Sequence, residues 1–395
     1  MRLLILISSL SNGGAERTAA LLANHWSALG WQVTIVTLAP QSKDFYPLDD
    51  KVRRIALNMD GESSSRWRGL VQNIKRVRAV RRCLKSTRPH AALAMMSTAN
   101  VLLALASVGL KNTVTVGAER VYPPHMPLGR PWELLRRHTY GLLNVVVAQT
   151  RLGATWIERH TNAKRATVIP NSVVWPLTNH APTIAVESVH ATDRKLLLTV
   201  GRLSEQKQPK ALIDAFQSLA GLRADWDLVI LGEGPLRPGL EKQVAAADLN
   251  GRVFLPGRVG NMADWYARAD LFVLNSRFEG FPNALVEAMA AGLPVVSTDC
   301  ETGPRELIQH GVNGMLVAVD DTHAMTHMLA LLMADPILRN KMAVRAAEVR
   351  ENLAHGPIAR KWEQTLGLVD SATPPSSGVN TPDVTIAGGV SSLNG

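Results

Sequence analysis

The sequence predicts an α/β protein of two doubly wound parallel sheets, on three observations. Short apolar β-type runs alternate with longer helical stretches along most of the chain, which is how strands covered on both faces read. The rhythm occurs twice, before and after "IPNSVVWPLTNHAPT", where Pro170, Pro176 and Pro182 interrupt regular structure. A chain of 395 residues also suits two domains, placed here at 1–175 and 176–352.

The first series begins with "LLILIS", a helix expected over 15–29, and "WQVTIVTLA". The opening "MRLLILISSLSNGG" imitates a signal peptide, but its apolar run is short, lacks a small-x-small site and flows into a Gly-Gly turn. A buried first strand fits better. Next comes "RWRGLVQNIKRVRAVRRCLKSTR", 66–88, with many cations and no acid. Trp67, Leu70, Val71, Ile74, Val77 and Leu84 recur near helical spacing. Two readings stand: a helix on an anionic membrane surface, or an amphipathic helix packed on its own domain. Residues 91–110 are uncharged and long enough to span a bilayer by count. Ser97-Thr98-Ala99-Asn100 breaks them, which favours strand–turn–helix. "NTVTVG", "NVVVAQT" and "RATVIPN" complete the series.

The second series runs "LLLTVGR", "DLVILGEG", "RVFLPGR", "LFVLNS" and "PVVSTD". Residues 371–395 abound in Ser, Gly, Pro and Thr without helical periodicity and read as a disordered tail.

A formal charge of +10 points to an anionic partner: nucleic acid, a phosphorylated substrate or acidic lipid. No nucleic-acid motif accompanies the charge, so no nucleic-acid partner is expected. Cys83 and Cys300 lie far apart without metal or redox spacing, which fits a reducing compartment and argues against a disulfide scaffold.

Four loops follow strands and suit an anion, and ligands of open α/β sheets bind at the carboxyl ends of strands. "SSLSNGGAER" brings Gly13 and Gly14, which let backbone approach a ligand. "GRLSEQK" brings Arg202 and Lys207, and "GEGPLR" brings Gly232 and Gly234, too weak a pair for a dinucleotide fingerprint. The fourth is "SRFEGFPNALVEAMAAGLPVVSTD", 276–299. Pro282 suits a first helical position, giving a helix over about 282–291 that stops at Gly292. Its N-terminal amides and dipole make a phosphate site. Glu279 before that end and Glu287 inside the helix are poorly placed for phosphate. They are well placed to accept hydrogen bonds from hydroxyls flanking one, as on the ribose and hexose of a nucleotide sugar. Asp225-Trp226-Asp227 imitates a metal-binding D-x-D but precedes its strand, so it reads as structural.

These motifs closely resemble the E-x7-E region and companion segments of the family 4 retaining glycosyltransferases, which have the GT-B fold. "GGAER" at 13–17, "VGRLSEQK" at 200–207, "LGEGPLR" at 231–237 and "ETGPRELIQHGVNGMLV" at 301–317 recur there in the same order. The resemblance implies an acceptor-binding first domain, a nucleotide-sugar-binding second domain, and a helix over 353–370 packing back toward the first. It implies that Arg202 and Lys207 grip the donor diphosphate and stabilise the leaving group, without metal or other cofactor. Glu287 then matches the acid on the ribose and Glu279 the acid near the hexose. Glu279, Arg202 and Lys207 make up the implied catalytic set. The segment Gly280, Phe281, Pro282, Asn283 and Ala284 would meet the phosphates, with Gly14 approaching from the other domain. Gly234 is carried over with its motif, and Arg258 and Val259 line the base pocket. Gly13, Glu16 and Arg17 fall on the acceptor side.

The chain departs from the family where many members carry a donor-sugar histidine. "VTVGAERVYPPH" offers Glu119 and Arg120 there, expected as acceptor-side groups or as a salt bridge. The implied activity is transfer of a hexose or N-acetylhexosamine from a nucleotide sugar, UDP favoured, to a polyprenyl-diphosphate-linked saccharide. Attack would be front-face, with the leaving phosphate taking the proton. The expected location is the cytoplasmic face of the plasma membrane, held peripherally through 66–88. A GDP-sugar donor, a soluble small acceptor, or a non-catalytic nucleotide-sugar or anionic-lipid binding protein are the alternatives.

Overall fold

The computed structural model describes residues 1–61, 66–190 and 193–368, without the side chains of 66 and 67. The expected tail, 371–395, and the side chain of Trp67 lie outside the described residues. The first sheet holds β1 (Arg2–Ile7), β2 (Gln32–Thr37), β3 (Arg53–Ala56), β4 (Ala91–Met95), β5 (Val114–Ala118), β6 (Val145–Ala148) and β7 (Ala166–Val168). All neighbours are parallel, in the order β3-β2-β1-β4-β5-β6-β7. The second sheet holds β8 (Lys195–Val200), β9 (Trp226–Leu231), β10 (Val253–Gly257), β11 (Leu271–Leu274), β12 (Val295–Thr298) and β13 (Met315–Val317). It is also parallel, in the order β10-β9-β8-β11-β12-β13.

Strands such as "LLILI" and "AALAM" are buried along their whole apolar length, because crossover helices cover both faces of a parallel sheet. The strand order reverses between β1 and β4 and between β8 and β11. Such reversals open a crevice at the carboxyl ends of the strands. β3 and β13 were not expected from sequence: both are short edge strands. "RRIA" is mostly half-exposed and begins with two arginines, so no apolar run marks it.

The helices of the first domain include α1 (Gly14–Ala28), α2 (Arg66–Thr87), α3 (Ser97–Ser107) and α4 (Arg130–Thr139). The uncharged segment 91–110 divides into β4 and α3, and among the described residues no helix is long and apolar enough to cross a membrane. Along α2 the apolar stripe divides. Val80 and Leu84 are buried against α3 and the sheet, whereas Leu70, Val71 and Ile74 are exposed beside the exposed Arg68, Lys75 and Arg78.

The last helix, His355–Thr365, lies against α1 of the first domain. Trp26 of α1 is fully buried and its Nε1 donates to Glu363, 3.1 Å. Val173 and Leu353 are joined by a backbone hydrogen bond of 2.8 Å. Replacing Trp26 with Ala should destabilise the first domain by about 3–5 kcal/mol, through the cavity and the hydrogen bond lost at Glu363. Denaturant unfolding followed separately in each domain checks this: the loss should fall on the first-domain transition.

Candidate functional site

The loops after β8 and β11, the two strands at the reversal of the second sheet, carry Arg202, Lys207 and Glu279. They are sewn together: Arg277 N donates to Gln206 O and Gln206 Nε2 donates to Phe278 O, each 2.8 Å. The neighbouring loop after β9 pins the first of them from behind, Leu203 N donating to Glu233 O at 3.0 Å. Two glycines permit this approach. Gly232 has φ +136°, and a Cβ there would overlap Gly201 O. A Cβ on Gly234 would overlap Leu203 O. Close loop packing therefore accounts for both.

The expected helix spans Asn283–Ala290, shorter than the predicted 282–291, with Pro282 as its N-cap rather than its first helical residue. Pro282 adopts φ −83° and ψ 83°, outside the helical region, so the chain turns in one residue later. Gly292 ends the helix region with φ +80°. Ala284 and Leu285 amides at its first turn face no preceding helical carbonyl.

Both acids are largely buried and both are paired. Glu279 accepts from Lys207 Nζ and from Ser276 Oγ, 2.7 Å, while Thr302 Oγ1 donates to its backbone carbonyl. Glu287 accepts from Tyr266 Oη, 3.2 Å, and from Arg17 of the first domain. The Glu287 charge raises the Arg17 guanidinium above its ordinary value. Burial, then Glu287, pushes the Tyr266 phenol well up, so it stays a donor.

Arg17 thus reaches the acid expected on the donor's ribose, instead of standing on the acceptor side. The reason is geometric: Gly14, at the start of α1, abuts Asn283, a Cβ there lying 3.2 Å from Asn283 Nδ2, and Arg17 is one turn further along. Glu16 turns back instead, accepting from Ser9 Oγ at 3.2 Å, and covers Gly13.

Arg202 and Arg258 are exposed and form no ion pair among the described residues. They line a cleft of about 560 Å³ with Gly232, Gly234, Val259 and, from the first domain, Asn12. An adjoining recess of about 360 Å³ continues past Arg258 and Val259 to Tyr46, Arg17 and Glu287. The two spaces share Asn12, Arg258, Val259 and Met262 and so run on from one another.

Glu119 does not face this cleft. Its carboxylate is 4% exposed, accepts from Ser97 Oγ (2.7 Å) and Tyr140 Oη, and lies near Arg136. Burial pushes its carboxyl above the ordinary range. The expectation of an acceptor-side or surface-bridging Glu119 is corrected: α4 supplies Arg136 and closes over it. Asp227 is fully buried and held by Arg252 at 2.8 Å and Arg194 at 3.2 Å. It lies at the amino end of β9, away from the cleft. Among the described residues no group of three or more His, Cys, Asp or Glu could hold a metal ion. Burial pushes the Cys300 thiol up to about 11, leaving it protonated near neutrality.

Sequence reasoning missed Tyr266, Asn171 and His125. Tyr266 comes from the helix before β11 and steadies Glu287. Asn171 Nδ2 donates to Asn283 Oδ1 at 2.7 Å across the two domains. His125 lies tilted against Phe278, ring centroids 5.0 Å apart, and 3.3 Å from Glu301. None has a spacing signal, because each acts through a contact remote in sequence.

Two family models match the chain: "Glycosyl transferase 4-like domain" over residues 13–172 and "Glycosyl transferases group 1" over residues 181–349. Among curated proteins, a Campylobacter jejuni "GalNAc-alpha-(1->4)-GalNAc-alpha-(1->3)-diNAcBac-PP-undecaprenol alpha-1,4-N-acetyl-D-galactosaminyltransferase" is 25% identical over 94% of this chain and 100% of its own. The amylovoran biosynthesis glycosyltransferase AmsD of Erwinia amylovora is 26% identical over 92% and 99%. Among solved structures, sucrose-phosphate synthase from Thermosynechococcus elongatus aligns with TM-score 0.76 at 19% identity, covering 92% of this chain and 98% of that one. Anabaena HepE, solved with UDP, aligns with TM-score 0.75 at 19% identity over 93% and 100%. At that identity the two structures speak to fold alone.

Gly232→Ala should cost at least about 1 kcal/mol, since both its φ and the carbonyl behind it exclude a side chain. The second-domain unfolding midpoint reads this, and Gly239→Ala, inside the helix Arg237–Ala246 with open space around its Cβ position, should instead raise stability by up to about 1 kcal/mol.

Proposed function

This chain belongs to the family 4 glycosyltransferases with the GT-B fold, and on that premise we propose that it moves a hexose or N-acetylhexosamine from a UDP-sugar to a polyprenyl-diphosphate-linked saccharide. The observation that carries the reading is the convergence of Arg202, Lys207, Glu279 and Glu287 at the switch point of the second sheet, facing Arg17 from the first. The names of the full-length relatives, an undecaprenol-diphosphate saccharide transferase and an amylovoran biosynthesis enzyme, support the acceptor class.

The reaction retains configuration at the anomeric carbon. The acceptor hydroxyl attacks on the face the diphosphate leaves, and a leaving-phosphate oxygen takes the hydroxyl proton. The C–O bond to the phosphate breaks as the new glycosidic bond forms. Arg202 and Lys207 offset charge that develops on the departing diphosphate, the role Mg²⁺ takes in other transferases. Lys207 leaves Glu279 for the phosphate, and Glu279 then accepts from hexose hydroxyls. Arg17 leaves Glu287 in the same way, freeing that acid for the ribose.

Exposed Leu70, Val71 and Ile74 among the cations of α2 favour peripheral contact with an anionic membrane on the cytoplasmic side.

A screen of UDP- and GDP-sugars with membrane lipid extract, read by mass spectrometry, tests the reaction. Transfer should yield a lipid-linked product with a UDP-sugar, survive EDTA, and fall at least about 100-fold in Arg202→Ala combined with Glu279→Ala. Retained turnover in that variant contradicts the site. A GDP-sugar requirement, or product only on soluble acceptors, overturns the donor or acceptor assignment. For the membrane, replacing Arg78, Arg82 and Lys85 by Gln should weaken sedimentation with phosphatidylglycerol vesicles by about 1 kcal/mol per charge. Unchanged binding would assign α2 to internal packing only.

A further inference from the structure

Below the cleft sits a buried cation that no anion pairs among the described residues. Arg120 follows β5 and is 5% exposed. Its Nη2 donates to Thr18 Oγ1 of α1, 2.9 Å, and to Asn171 Oδ1. Among the described residues its Nε and Nη1 have no partner, and no carboxylate pairs with it. Burial alone pushes the guanidinium down to about 10, the mark of a desolvated charge without compensation.

The surroundings make the omission specific. Asn171, which accepts from Arg120, donates to Asn283 at the first turn of the Asn283–Ala290 helix. Thr18 lies in the second turn of α1, whose first residue, Gly14, abuts Asn283. The amino ends of two helices, one from each domain, therefore meet beside Arg120. The backbone is drawn in as well, since a Cβ on Gly280 would lie 3.0 Å from Arg120 O. Each helix end carries partial positive charge, so three positive features converge on one place.

We propose that Arg120 is a positioning residue that reads the diphosphate charge of the donor at the junction of the two domains. The inference rests on the nucleotide-sugar reading of the cleft. A diphosphate over the two helix ends supplies the missing counter-charge from the cleft side, while Arg202 and Lys207 approach it from the second sheet. Poor screening in the buried interface makes this attraction grow with ligand charge. A diphosphate gains more than a monophosphate, and an uncharged nucleoside gains nothing. An arginine that merely filled the interface would instead change affinity for all three alike.

The test titrates UDP, GDP, UMP, uridine and inorganic pyrophosphate into the full chain, Arg120→Lys and Arg120→Gln by calorimetry, with thermal unfolding of each. Arg120→Gln should lower the UDP-over-UMP preference about tenfold, leave uridine within about twofold, and weaken pyrophosphate in parallel; Arg120→Lys should keep most of the preference. Arg120→Met, which leaves no unpaired donor, replaces the Gln variant if that one does not fold. An unchanged preference, or equal losses for UDP and uridine, overturns the proposal. Binding of pyrophosphate but of neither UDP nor GDP by the unaltered protein overturns the nucleotide reading. The pyrophosphate arm then still decides whether Arg120 reads charge.

Discussion

A carboxylate taken out of water must find a partner, and that constraint organises this molecule. Glu279 takes Lys207 from the loop after β8, and Glu287 takes Arg17 from the opposite domain. Both pairs are partly buried, where Coulomb attraction is less screened than at the surface. The second pair joins the two halves beside the recess that continues the cleft. The cations that hold the two acids are thus the ones a diphosphate would draw away, exposing acceptor oxygens to sugar hydroxyls. On the proposed reading, binding of the diphosphate and release of the two acids would be one exchange.

Much of the fold was legible because parallel strands buried on both faces read as unbroken apolar runs. Eleven of those runs can be read off directly, from "LLILIS" to "PVVSTD". The edges were not, since "RRIA" and "MLV" carry too little apolar length to stand out. The site loops were legible for a related reason: glycines and cations clustered immediately after a strand mark where backbone and charge can meet an anion. Pro282 misled by one residue, its preference for the first helical turn yielding to an N-cap conformation.

What the sequence could not show was pairing across domains. Arg17 and Glu287 lie 270 positions apart, and Asn171 and Asn283 lie 112 apart. No local pattern links them. Glu119 and Arg120 are adjacent, yet one turns into the core toward Tyr140 and the other into the interface toward Thr18. Successive side chains leaving a strand point to opposite faces, so two neighbours met as one motif have separate surroundings.

The structure of the protein with whichever of UDP or GDP it binds tests the central claim most directly. The ribose hydroxyls should lie on Glu287, with Arg17 displaced from that acid and the diphosphate between Arg202 and the first turn of the Asn283–Ala290 helix. A nucleotide seated elsewhere, with Arg17 still paired to Glu287 and Lys207 still on Glu279, would contradict it.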